Sequence, residues 1–393
     1  MESSLRILMH CGGSYVGGAE VVEIDLMRGL KQRGHKIHCT INGWNDGEFI
    51  RRLKDIGVSY TPIKLGRLSK KITDPKYLWW TIDALIHLPG ALLKHWQVQN
   101  EFTPDVVILH SIRTASKLRP LLDPEKTIHY IHSTPEDTIH TRLAMGNSGG
   151  QGAAYVAVSE YIGEKLEDIG VPPKKIEVIQ NGVHPGALPR KDTRYPNGGT
   201  ALKAGIVGQV GPWKGHEDFI EALRILHERG EGVRVQGVIV GEGDEAFEKQ
   251  LKETIRQYGI EDDVEWRGFV QDTDEIYVGL DVCVVPSRFR EPFGLVAAEA
   301  GARGLPVIAT RRGGLPEIVE DEETGFLVDV GRPDQIADRL NRLANKQDLR
   351  SRMGKKARRH VRDHFSVNRM IDQAESLFRE IAGDSEANSA ERE

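Results

Sequence analysis

Two glutamates in the C-terminal half of the chain have a spacing that could serve chemistry. Glu291 and Glu299 are separated by seven residues in the stretch REPFGLVAAEA. Glu291 precedes a proline in a predicted tight loop, and Glu299 lies on a helix predicted to begin near Gly294. The first N–H groups of a helix lack intrahelical partners and carry partial positive charge, so they can hold a diphosphate. Here those groups belong to Phe293, Gly294 and Leu295.

Carboxylates on both sides of a bound diphosphate would accept hydrogen bonds from hydroxyl groups. That arrangement suits a nucleotide sugar, with Glu299 on the ribose and Glu291 on the sugar. The alternative is an acidic loop followed by an ordinary helical glutamate. Glu299 is flanked by small apolar residues in LVAAEAGA, where a glutamate without a function would be poorly matched.

A lysine lies in a glycine loop earlier in the same half. Lys214 belongs to GIVGQVGPWKGHEDFIEAL and precedes a helix predicted over 216–229. A compact positive charge at such a place suits a diphosphate. A solvated loop lysine is the alternative. We favour phosphate because the second half of the chain repeats the strand, glycine loop and helix order of the first half.

The first predicted strand also ends in a glycine loop, HCGGSYVGGAE. Gly17 and Gly18 precede a helix predicted over 19–33, where backbone N–H groups could approach a phosphate. The spacing is not the G-x-G-x-x-G of dinucleotide-binding loops, and a flexible connection is the alternative. Two further turns, VGEG and RGFV, could hold a planar nucleobase, although each could be an ordinary turn. Their residues are Gly241, Glu242, Phe269 and Val270.

Short apolar strands alternate with amphipathic helices along the chain, which is typical of the α/β class. The pattern breaks at PGALPRKDTRYPNGG, 185–199, and then restarts. We therefore predict two doubly wound, Rossmann-like domains, 1–190 and 200–365, with ligand loops at the C-terminal ends of their strands. A helix over 366–382 is expected to cross back to the N-terminal domain, followed by a disordered tail over 383–393.

The composition argues against several classes of function. Residues 1–190 hold 23 Lys and Arg against 20 Asp and Glu, and the remainder holds 30 against 38, so bulk nucleic-acid binding is not expected. Three widely spaced cysteines indicate neither a disulfide framework nor a zinc site. No apolar run suits a signal peptide or a membrane span, and a cytoplasmic location is expected. The triplet Asp272 to Asp274 resembles a metal-binding D-x-D, but its position favours a helix N-cap.

Taken together, these motifs resemble those of glycosyltransferase family 4, retaining enzymes of the two-domain GT-B architecture. EPFGLVAAE matches the E-x7-E signature of that family. The elements GGAE, YIHSTPED, VAVSEYI, VIQNGV, KGHEDFIEAL, VGEG, GLPVIAT and GGLPEIVEDEETGFLV follow the family pattern in the same order. The resemblance extends from residue 5 to about residue 380.

The resemblance implies an active site in the cleft between the two domains. Glu291 and the backbone of residues 293–295 would bind the donor sugar and its diphosphate. Lys214 would pair with the diphosphate, and Glu299 would bind the ribose. Gly18 would approach the diphosphate from the other domain. No metal or other cofactor is implied, because the leaving group is held by a helix end and basic side chains.

Two more positions matter for the resemblance. His132, at the end of a strand in YIHS, matches a histidine beside the transferred sugar and would be catalytic; a satisfied strand-end histidine is the alternative. Gln209 stands where the family usually has an arginine, so half of the usual cationic clamp is missing. Four other arginines could compensate: Arg288, Arg290, Arg311 and Arg312.

The predicted function is therefore a retaining transfer of a hexose from a nucleoside diphosphate sugar to an acceptor hydroxyl. UDP is the first expectation for the nucleotide and GDP the next, and the product would be a cell-envelope glycolipid or polysaccharide. The alternatives are a nucleotide-sugar 2-epimerase and a catalytically silent nucleotide-sugar-binding protein. The complete E-x7-E motif argues against the epimerase. Intact Glu291, Lys214 and His132 argue against the silent protein, and only Gln209 supports it.

One segment, Gly66 to Gln97, combines five basic residues with three of the six tryptophans of the chain. Tryptophans between basic side chains on a helix suit the surface of an anionic membrane. The contact would extend from Arg67 to Trp96, and the acceptor would then be lipid-linked. The alternative is a helix that packs its tryptophans on the first sheet.

Overall fold

The structure is a computed structural model, and it describes residues 3–11, 13, 16–44, 47–65, 75–136, 138, 141, 152–186, 201–230 and 234–390. The chain divides into two units, each built on its own parallel sheet. The first unit is Met1–Asn181 with Val367–Glu393, and the second unit is Gly182–Ser366.

The boundary between the units lies earlier than the expected residue 190. The N–H of Val183 donates to the carbonyl of Phe365 at 2.8 Å, and this bond holds the residues after Asn181 within the second unit. Most of the predicted linker, 187–199, lies outside the described residues.

Seven parallel strands form the sheet of the first unit: β1 (Arg6–Cys11), β2 (Lys36–Asn42), β3 (Ser59–Ile63), β4 (Val106–Leu109), β5 (Thr127–Ile131), β6 (Ala154–Ala157) and β7 (Ile176–Val178). Their order is β3-β2-β1-β4-β5-β6-β7. The connections run in opposite directions from β1 and β4, so the loops after these two strands diverge and leave a crevice. The described helices before residue 181 are α1 (Gly18–Gln32), α2 (Glu48–Asp55), α3 (Pro75–Phe102), α4 (Ile112–Leu118) and α5 (Glu160–Asp168).

The second unit repeats this plan with six parallel strands: β8 (Leu202–Val207), β9 (Val235–Val240), β10 (Val264–Gly268), β11 (Val282–Val285), β12 (Val307–Thr310) and β13 (Gly325–Val328). Their order is β10-β9-β8-β11-β12-β13. Its described helices are α6 (His216–Arg229), α7 (Glu245–Tyr258), α8 (Thr273–Ile276), α9 (Leu295–Ala302), α10 (Leu315–Ile318), α11 (Pro333–Asn345) and α12 (Gln347–His364). Fully buried side chains such as Phe219, Ile239 and Phe326 join the helices to the sheet.

The last helix, α13 (Val367–Ala390), belongs to the first unit and packs against α1. Arg33 at the end of α1 pairs with Asp372 at 2.5 Å and with Glu375 at 2.6 Å. The helix continues to Ala390, so helical backbone covers most of the segment for which a disordered tail was predicted. No glycine or proline follows Gly383 before residue 390 to interrupt the helix.

Three strands, β3, β7 and β13, were not predicted from the sequence, and β7 has only three residues. β3 contains Pro62, which argues against a strand interior, but β3 lies at the edge of its sheet, where a missing N–H is tolerated. β13 is only four residues long and begins with a glycine. Within the part of the chain that is described, no helix combines the length and apolar character needed to cross a membrane.

Candidate active site

Lys214 and Glu291, which are 77 residues apart in sequence, are in direct contact. The Nζ of Lys214 donates to Oε1 of Glu291 at 2.7 Å, and the hydroxyl of Ser287 donates to the same oxygen at 2.6 Å. The two charged side chains are 25% and 16% exposed, so their interaction is less screened than that of a surface pair. The structure therefore brings together the two residues predicted to hold the diphosphate and the sugar.

The contact follows from the way two loops are joined. The strands β8 and β11 are neighbours, and the loops that follow them carry Lys214 and Glu291. The carbonyl of Trp213 accepts hydrogen bonds from the N–H groups of Arg288 at 2.9 Å and Phe289 at 3.2 Å. Gly215 has a φ of +77°, and a Cβ there would lie 2.0 Å from the carbonyl oxygen of Pro286. A glycine is needed for this close approach.

The helix α9 begins where the sequence predicts. Gly294 is its N-cap and Leu295 its first residue, directly after the Glu291 loop. The carbonyl of Glu291 accepts a hydrogen bond from the N–H of Gly314 at 2.8 Å, which fixes this loop against the one after β12. The Phe293 side chain is buried against Phe365, so only the backbone of Phe293 can serve a ligand.

A buried tyrosine, Tyr277, fixes the orientation of the Glu299 carboxylate. The hydroxyl of Tyr277 donates to Oε2 of Glu299 at 2.8 Å, and burial, together with the nearby carboxylate, raises the pKa of Tyr277. Arg303 lies over the Tyr277 ring at 4.8 Å and pairs with Asp274 at 2.5 Å. Glu299 is therefore an oriented carboxylate on α9, as a ribose-binding role requires.

The two predicted nucleobase turns are adjacent. The N–H of Gly241 donates to the carbonyl of Gly268 at 2.8 Å, and Oε1 of Glu242 accepts from the N–H of Phe269 at 3.4 Å. A Cβ at Gly241, whose φ is +135°, would lie 2.0 Å from the carbonyl oxygen of Gly208. The Phe269 side chain is 69% exposed and that of Val270 is half-buried.

The D-x-D triplet has two structural roles. A carboxylate oxygen of Asp272 accepts from the N–H of Asp274 at 2.8 Å at the start of α8, so the N-cap interpretation of Asp272 is confirmed. Asp274 is the ion-pair partner of Arg303. Both carboxylates therefore have partners within the fold.

In the first unit, Gly17 and Gly18 form the start of α1. Gly17 is the N-cap, and its N–H donates to Oε2 of Glu20 at 3.0 Å. The N–H of Gly17 is thus engaged within the helix cap, and the contact of these backbone N–H groups with a phosphate stays a prediction. Gly18 is the first residue of the helix.

His132 follows β5 and meets a second histidine. Its Nε2 lies 2.9 Å from Nδ1 of His110, which follows the neighbouring strand β4. The ring of Tyr130 lies 4.9 Å from that of His132, with an angle of 12° between the planes. Burial lowers the pKa of His132 to about 4, and burial together with His132 lowers the pKa of His110 well below its usual value. Both imidazoles are therefore neutral at pH 7.

Comparison with known families agrees with this geometry. A family model described as Glycosyltransferase Family 4 matches residues 16–186, and one described as Glycosyl transferases group 1 matches residues 192–360. The chain belongs to glycosyltransferase family 4. This glycosyltransferase is similar to N-acetyl-alpha-D-glucosaminyl L-malate synthase of Bacillus anthracis, with 24% identity over 398 residues, or 97% of this chain and 98% of that enzyme.

Solved structures show the architecture of this family 4 glycosyltransferase. A glycosyltransferase from Rickettsia africae matches it with a TM-score of 0.79 and 20% identity, over 97% of this chain and 99% of that one. Anabaena Alr3699/HepE, in complex with UDP and glucose, matches with a TM-score of 0.77 and 20% identity, over 95% and 99%. The two Rossmann-like units predicted from the sequence are thus those of the GT-B fold.

Gln209, which stands where the family usually has an arginine, is exposed in this glycosyltransferase. For three of the four arginines that could replace it, the structure shows whether they already have partners. Arg288 is bound by Asp218 and Glu217, and Arg311 is paired with an aspartate at 2.7 Å. Arg312 is different, because its Nε is buried and has no hydrogen-bond partner among the described residues.

Three buried residues near His132 were missed by sequence reasoning. Oε1 of Glu23 on α1 lies 3.6 Å from Nδ1 of His110, and Cys11 at the end of β1 completes a group whose polar atoms lie within 4.8 Å of one another. Burial raises the pKa of Glu23 to about 8, and burial and Cys39 raise that of Cys11. The signal in the sequence was that two successive strands, DVVILH and TIHYIH, both end in histidine.

Proposed function

We propose that this glycosyltransferase moves a hexose from a nucleoside diphosphate sugar, a UDP sugar first, to an acceptor hydroxyl with retention of anomeric configuration. The observation that carries the proposal is the contact between Lys214 and Glu291 immediately before α9. An ammonium group, a carboxylate and a positive helix end together suit a ligand that carries both phosphates and hydroxyls.

The proposed roles follow from these neighbours. Lys214 and the first N–H groups of α9 stabilise the negative charge that develops on the leaving diphosphate, which is electrostatic catalysis. Glu291 accepts hydrogen bonds from hydroxyls of the donor sugar, and Ser287 keeps its carboxylate in place. Glu299, oriented by Tyr277, accepts from the ribose hydroxyls. With these charges in place, we propose that the reaction needs no metal ion or other cofactor.

We propose that residues of the second unit also bind the nucleobase and supply a second positive charge to the diphosphate. We assign the nucleobase to the adjacent turns at Gly241–Glu242 and Phe269–Val270. Arg312, whose Nε has no partner among the described residues, takes the place of the arginine that Gln209 replaces. The Anabaena relative of the same fold, in complex with UDP and glucose, supports UDP as the nucleotide.

The reaction we propose proceeds on one face of the sugar. The bond from the anomeric carbon to the phosphate oxygen breaks, the bond to the acceptor oxygen forms, and the acceptor proton passes to the leaving phosphate. A neutral His132 is available as a hydrogen-bonding group at the reacting centre rather than as a cation. No protein nucleophile takes part in this scheme, so the double displacement through a carboxylate is not used.

The test is a thermal-shift panel of UDP, GDP and ADP sugars in buffer with a chelator, followed by product analysis. A cognate donor present at about 100 times its Kd should stabilise the fold by about 2.7 kcal/mol. A UDP hexose that raises the Tm and is turned over, with an α-linked product from an α-linked donor, supports the proposal. A C2 epimer formed from the donor alone would instead support an epimerase. Binding of every donor without turnover would support a silent binding protein.

The described part of α3 supports a lipid-linked acceptor. Large apolar side chains with at least two-fifths of their surface exposed recur at spacings that place them on one side of a helix, mostly three, four or seven residues: Leu78, Ile82, Leu85, Ile86, Leu93 and Trp96. Trp79 joins them with 64% exposure, whereas Trp80 is half-buried. The opposite face, with Ala84, Ala91 and Val98, is buried.

We propose that this apolar face of α3 rests on an anionic membrane at the cytoplasmic side. A helix that is apolar on its exposed side as well as its buried side needs a partner for the exposed side. The sequence before it carries Arg67, Lys70 and Lys71, which suit anionic headgroups, although 66–74 lie outside the described residues. The product would then be an envelope glycolipid or a lipid-linked polysaccharide precursor.

A further inference from the structure

His216 is the first residue of α6 and follows Lys214 by two positions. Its side chain is completely buried, and its Nδ1 lies 3.3 Å from the carbonyl oxygen of Gly211. A carbonyl oxygen can only accept a hydrogen bond, so the hydrogen of the neutral imidazole lies on Nδ1. The Nε2 atom is buried without a partner among the described residues, and in this tautomer it carries only a lone pair. The ring of His216 is therefore fixed through its bond to Gly211.

The carbonyl of Gly211 also belongs to the turn that carries Lys214. It accepts a second hydrogen bond, from the backbone N–H of Lys214 at 3.1 Å. That bond closes a single 3₁₀ turn over Pro212–Lys214, for which Gly211 is the N-cap. A carbonyl oxygen has two lone pairs and can accept both bonds. The His216 ring and the Lys214 backbone are thus joined through one atom, the carbonyl oxygen of Gly211.

We propose that His216 is a positioning residue for Lys214, which it holds in place through the Gly211 carbonyl. The Lys214 ammonium reaches Glu291 from this turn, so the place of the turn decides where the positive charge lies. The step from this position to catalysis rests on the proposed function, in which Lys214 binds the leaving diphosphate. The position of the turn itself does not depend on that function.

Backbone hydrogen bonds hold the chain on both sides of Gly211. Before it, the N–H of Val210 donates to the carbonyl of Glu242 at 2.9 Å, and after it, the carbonyl of Trp213 accepts from two N–H groups of the loop after β11. Gly211 itself meets two side chains, His216 and the Trp213 indole, whose ring carbons would lie 2.7 Å from a Cβ at position 211. Trp213 is 43% exposed, whereas His216 is buried, so the bond from His216 is shielded from competing water.

His216 contributes a hydrogen bond to this loop and no charge. Burial lowers its pKa to about 4, and the positive charge of Lys214 acts in the same direction. The bond to Gly211 and the carboxylate of Glu248 on α7 have smaller, opposite effects. The imidazole is therefore neutral at pH 7, and the cation of the loop is Lys214. Loss of the imidazole should thus change where the positive charge lies without changing its amount.

The direct test is a crystal structure of His216→Leu without ligand, beside that of the wild type. Leucine fills much of the buried space of the ring but donates no hydrogen bond. We expect the Gly211 carbonyl to turn away and the Lys214 ammonium to lie beyond hydrogen-bond distance of Glu291. An unchanged turn, with the contact between Lys214 and Glu291 in place, would overturn the proposal whatever the enzyme transfers.

Calorimetric titration with UDP tests the same role in solution. His216→Leu should raise the Kd of UDP by about fivefold to thirtyfold, because a displaced ammonium binds the diphosphate less well. His216→Asn has its amide N–H near the place of Nδ1 and should keep the Kd within about threefold of the wild type. His216→Gln has its amide near the place of Nε2 and should not recover the affinity. Equal Kd values for the Asn and Gln variants would overturn the proposal.

A double variant separates positioning of Lys214 from a merely structural role. In Lys214→Ala the ammonium is absent, so adding His216→Leu should raise the Kd of UDP by no more than about twofold. A further loss as large as that in the wild-type background would overturn the proposal. His360→Leu is the matched control, because the His360 ring is 14% exposed and its Nε2 also meets a backbone carbonyl of the second unit, that of Glu317 at 3.5 Å. It should leave the Kd of UDP unchanged.

These outcomes are distinct from those of the proposed function. If the wild type binds none of UDP, GDP and ADP, the proposed function fails, and the crystal structure of His216→Leu still decides whether His216 positions Lys214. If His216→Leu does not fold, His216→Gln takes its place in both experiments, because it too lacks a donor near the place of Nδ1.

Discussion

Arg288 binds Asp218 through two parallel hydrogen bonds, from Nε to Oδ2 at 2.8 Å and from Nη2 to Oδ1 at 2.7 Å. Its remaining nitrogen donates to Glu217 at 2.7 Å. The hydrogen bonds to Asp218 raise the pKa of Arg288 further above its usual value. Arg288 therefore ties the loop after β11 to the first turn of α6, and a diphosphate would have to compete with two carboxylates for it.

The arginines near the site should accordingly separate into structural and ligand-binding groups. Arg288→Met should lower the free energy of unfolding by about 1–3 kcal/mol, because it leaves the buried Asp218 without its cation. Arg312→Met should keep the stability and weaken donor binding by about tenfold, as loss of one cation from a diphosphate would. Urea unfolding and calorimetric titration with UDP-glucose measure the two effects.

Arg311→Met is the matched control for Arg312, because Arg311 is adjacent in sequence but paired with Asp321. It should leave donor affinity within about twofold of the wild type. Wild-type affinity in Arg312→Met would show that this arginine does not replace the one missing at Gln209.

Substitutions of Lys214 and Glu291 should change different constants, the donor Kd and kcat. The effect of each substitution should depend on whether the other residue is present. Lys214→Ala should raise the donor Kd by about tenfold or more, and Glu291→Ala should lower kcat at saturating donor. Since the two side chains are 2.7 Å apart, the double variant should lose less than the sum of the two single losses. Steady-state kinetics and donor titration measure this cycle.

Lys356→Ala, which removes a surface lysine paired with Glu323, is the control for loss of a charge from the second unit. Its donor affinity should match that of the wild type. Strict additivity of the Lys214 and Glu291 variants would contradict a shared site.

Tyr277 should act on donor affinity through Glu299. Tyr277→Phe keeps the buried ring and removes the hydroxyl that donates to Glu299 at 2.8 Å. We expect the donor KM to rise about threefold to tenfold with kcat nearly unchanged, because a mobile carboxylate binds the ribose less well. Tyr258, the last residue of α7, has its hydroxyl beside another carboxylate, that of Glu221 on α6. Tyr258→Phe is therefore the matched control and should leave the donor KM unaltered. Equal kinetic constants for Tyr277→Phe and the wild type would contradict the ribose role of Glu299.

Glu23 should give the protein a distinctive pH dependence of stability. Burial raises its pKa to about 8 from the 4.5 of an unperturbed glutamate, so between these values the folded protein binds more protons than the unfolded chain. The free energy of unfolding contributed by Glu23 is therefore complete below about pH 4.5 and is lost as the pH rises to about 8. Cys11 on β1, Glu20 on α1 and His110 after β4 are the titratable neighbours.

Glu23→Gln lacks this titration, so its stability relative to the wild type should rise with pH across that window, by on the order of a few kcal/mol. Urea unfolding of both proteins at about pH 5, 6, 7 and 8 measures the difference, and the histidine titrations common to both largely cancel. A difference that does not change with pH would mean that Glu23 is ionised in the folded protein.

The α3 face should bind vesicles through its exposed residues. We expect co-sedimentation with anionic vesicles at low salt, a loss of about 1 kcal/mol for each basic residue screened at high salt, and weaker binding of Trp79→Ser/Ile86→Ser. Trp266→Phe, in the second unit, is the control. The same experiment with neutral vesicles separates charge from apolar insertion. Dimers in solution that the double variant abolishes, without sedimentation of the wild type, would assign this face to a second copy of the chain.

Local signals in the sequence predicted much of the second unit. The helix α6 has the bounds expected from the sequence, because Gly215 and Gly230 mark its ends. The residues around Gly294 were predicted for the same reason, since a glycine loop before a run of small apolar residues marks a helix start. The ends of these helices are set by residues adjacent in sequence, so they can be predicted without knowing the tertiary structure.

Contacts between distant loops were harder to predict. That Lys214 reaches Glu291 depends on β8 and β11 being neighbours in the sheet, which no local pattern states. The histidine pair depends in the same way on the pairing of β4 with β5. Glu23 was overlooked because a charged residue on a helix is normally placed on the solvent side, whereas here burial keeps it neutral.

The return of α13 to the first unit has a consequence for biosynthesis. A ribosome delivers the seven strands of the first sheet early, but the helix that packs on α1 follows the whole second unit in sequence and leaves the exit tunnel after it. Until then the surface of α1 that carries Arg33 lacks its partner, while the whole second unit, a continuous segment, can already fold. The first unit should thus mature after the second, and a nonsense mutation at residue 367 should release a chain whose second unit, which ends at Ser366, is complete and whose first unit is a substrate for chaperones and proteases.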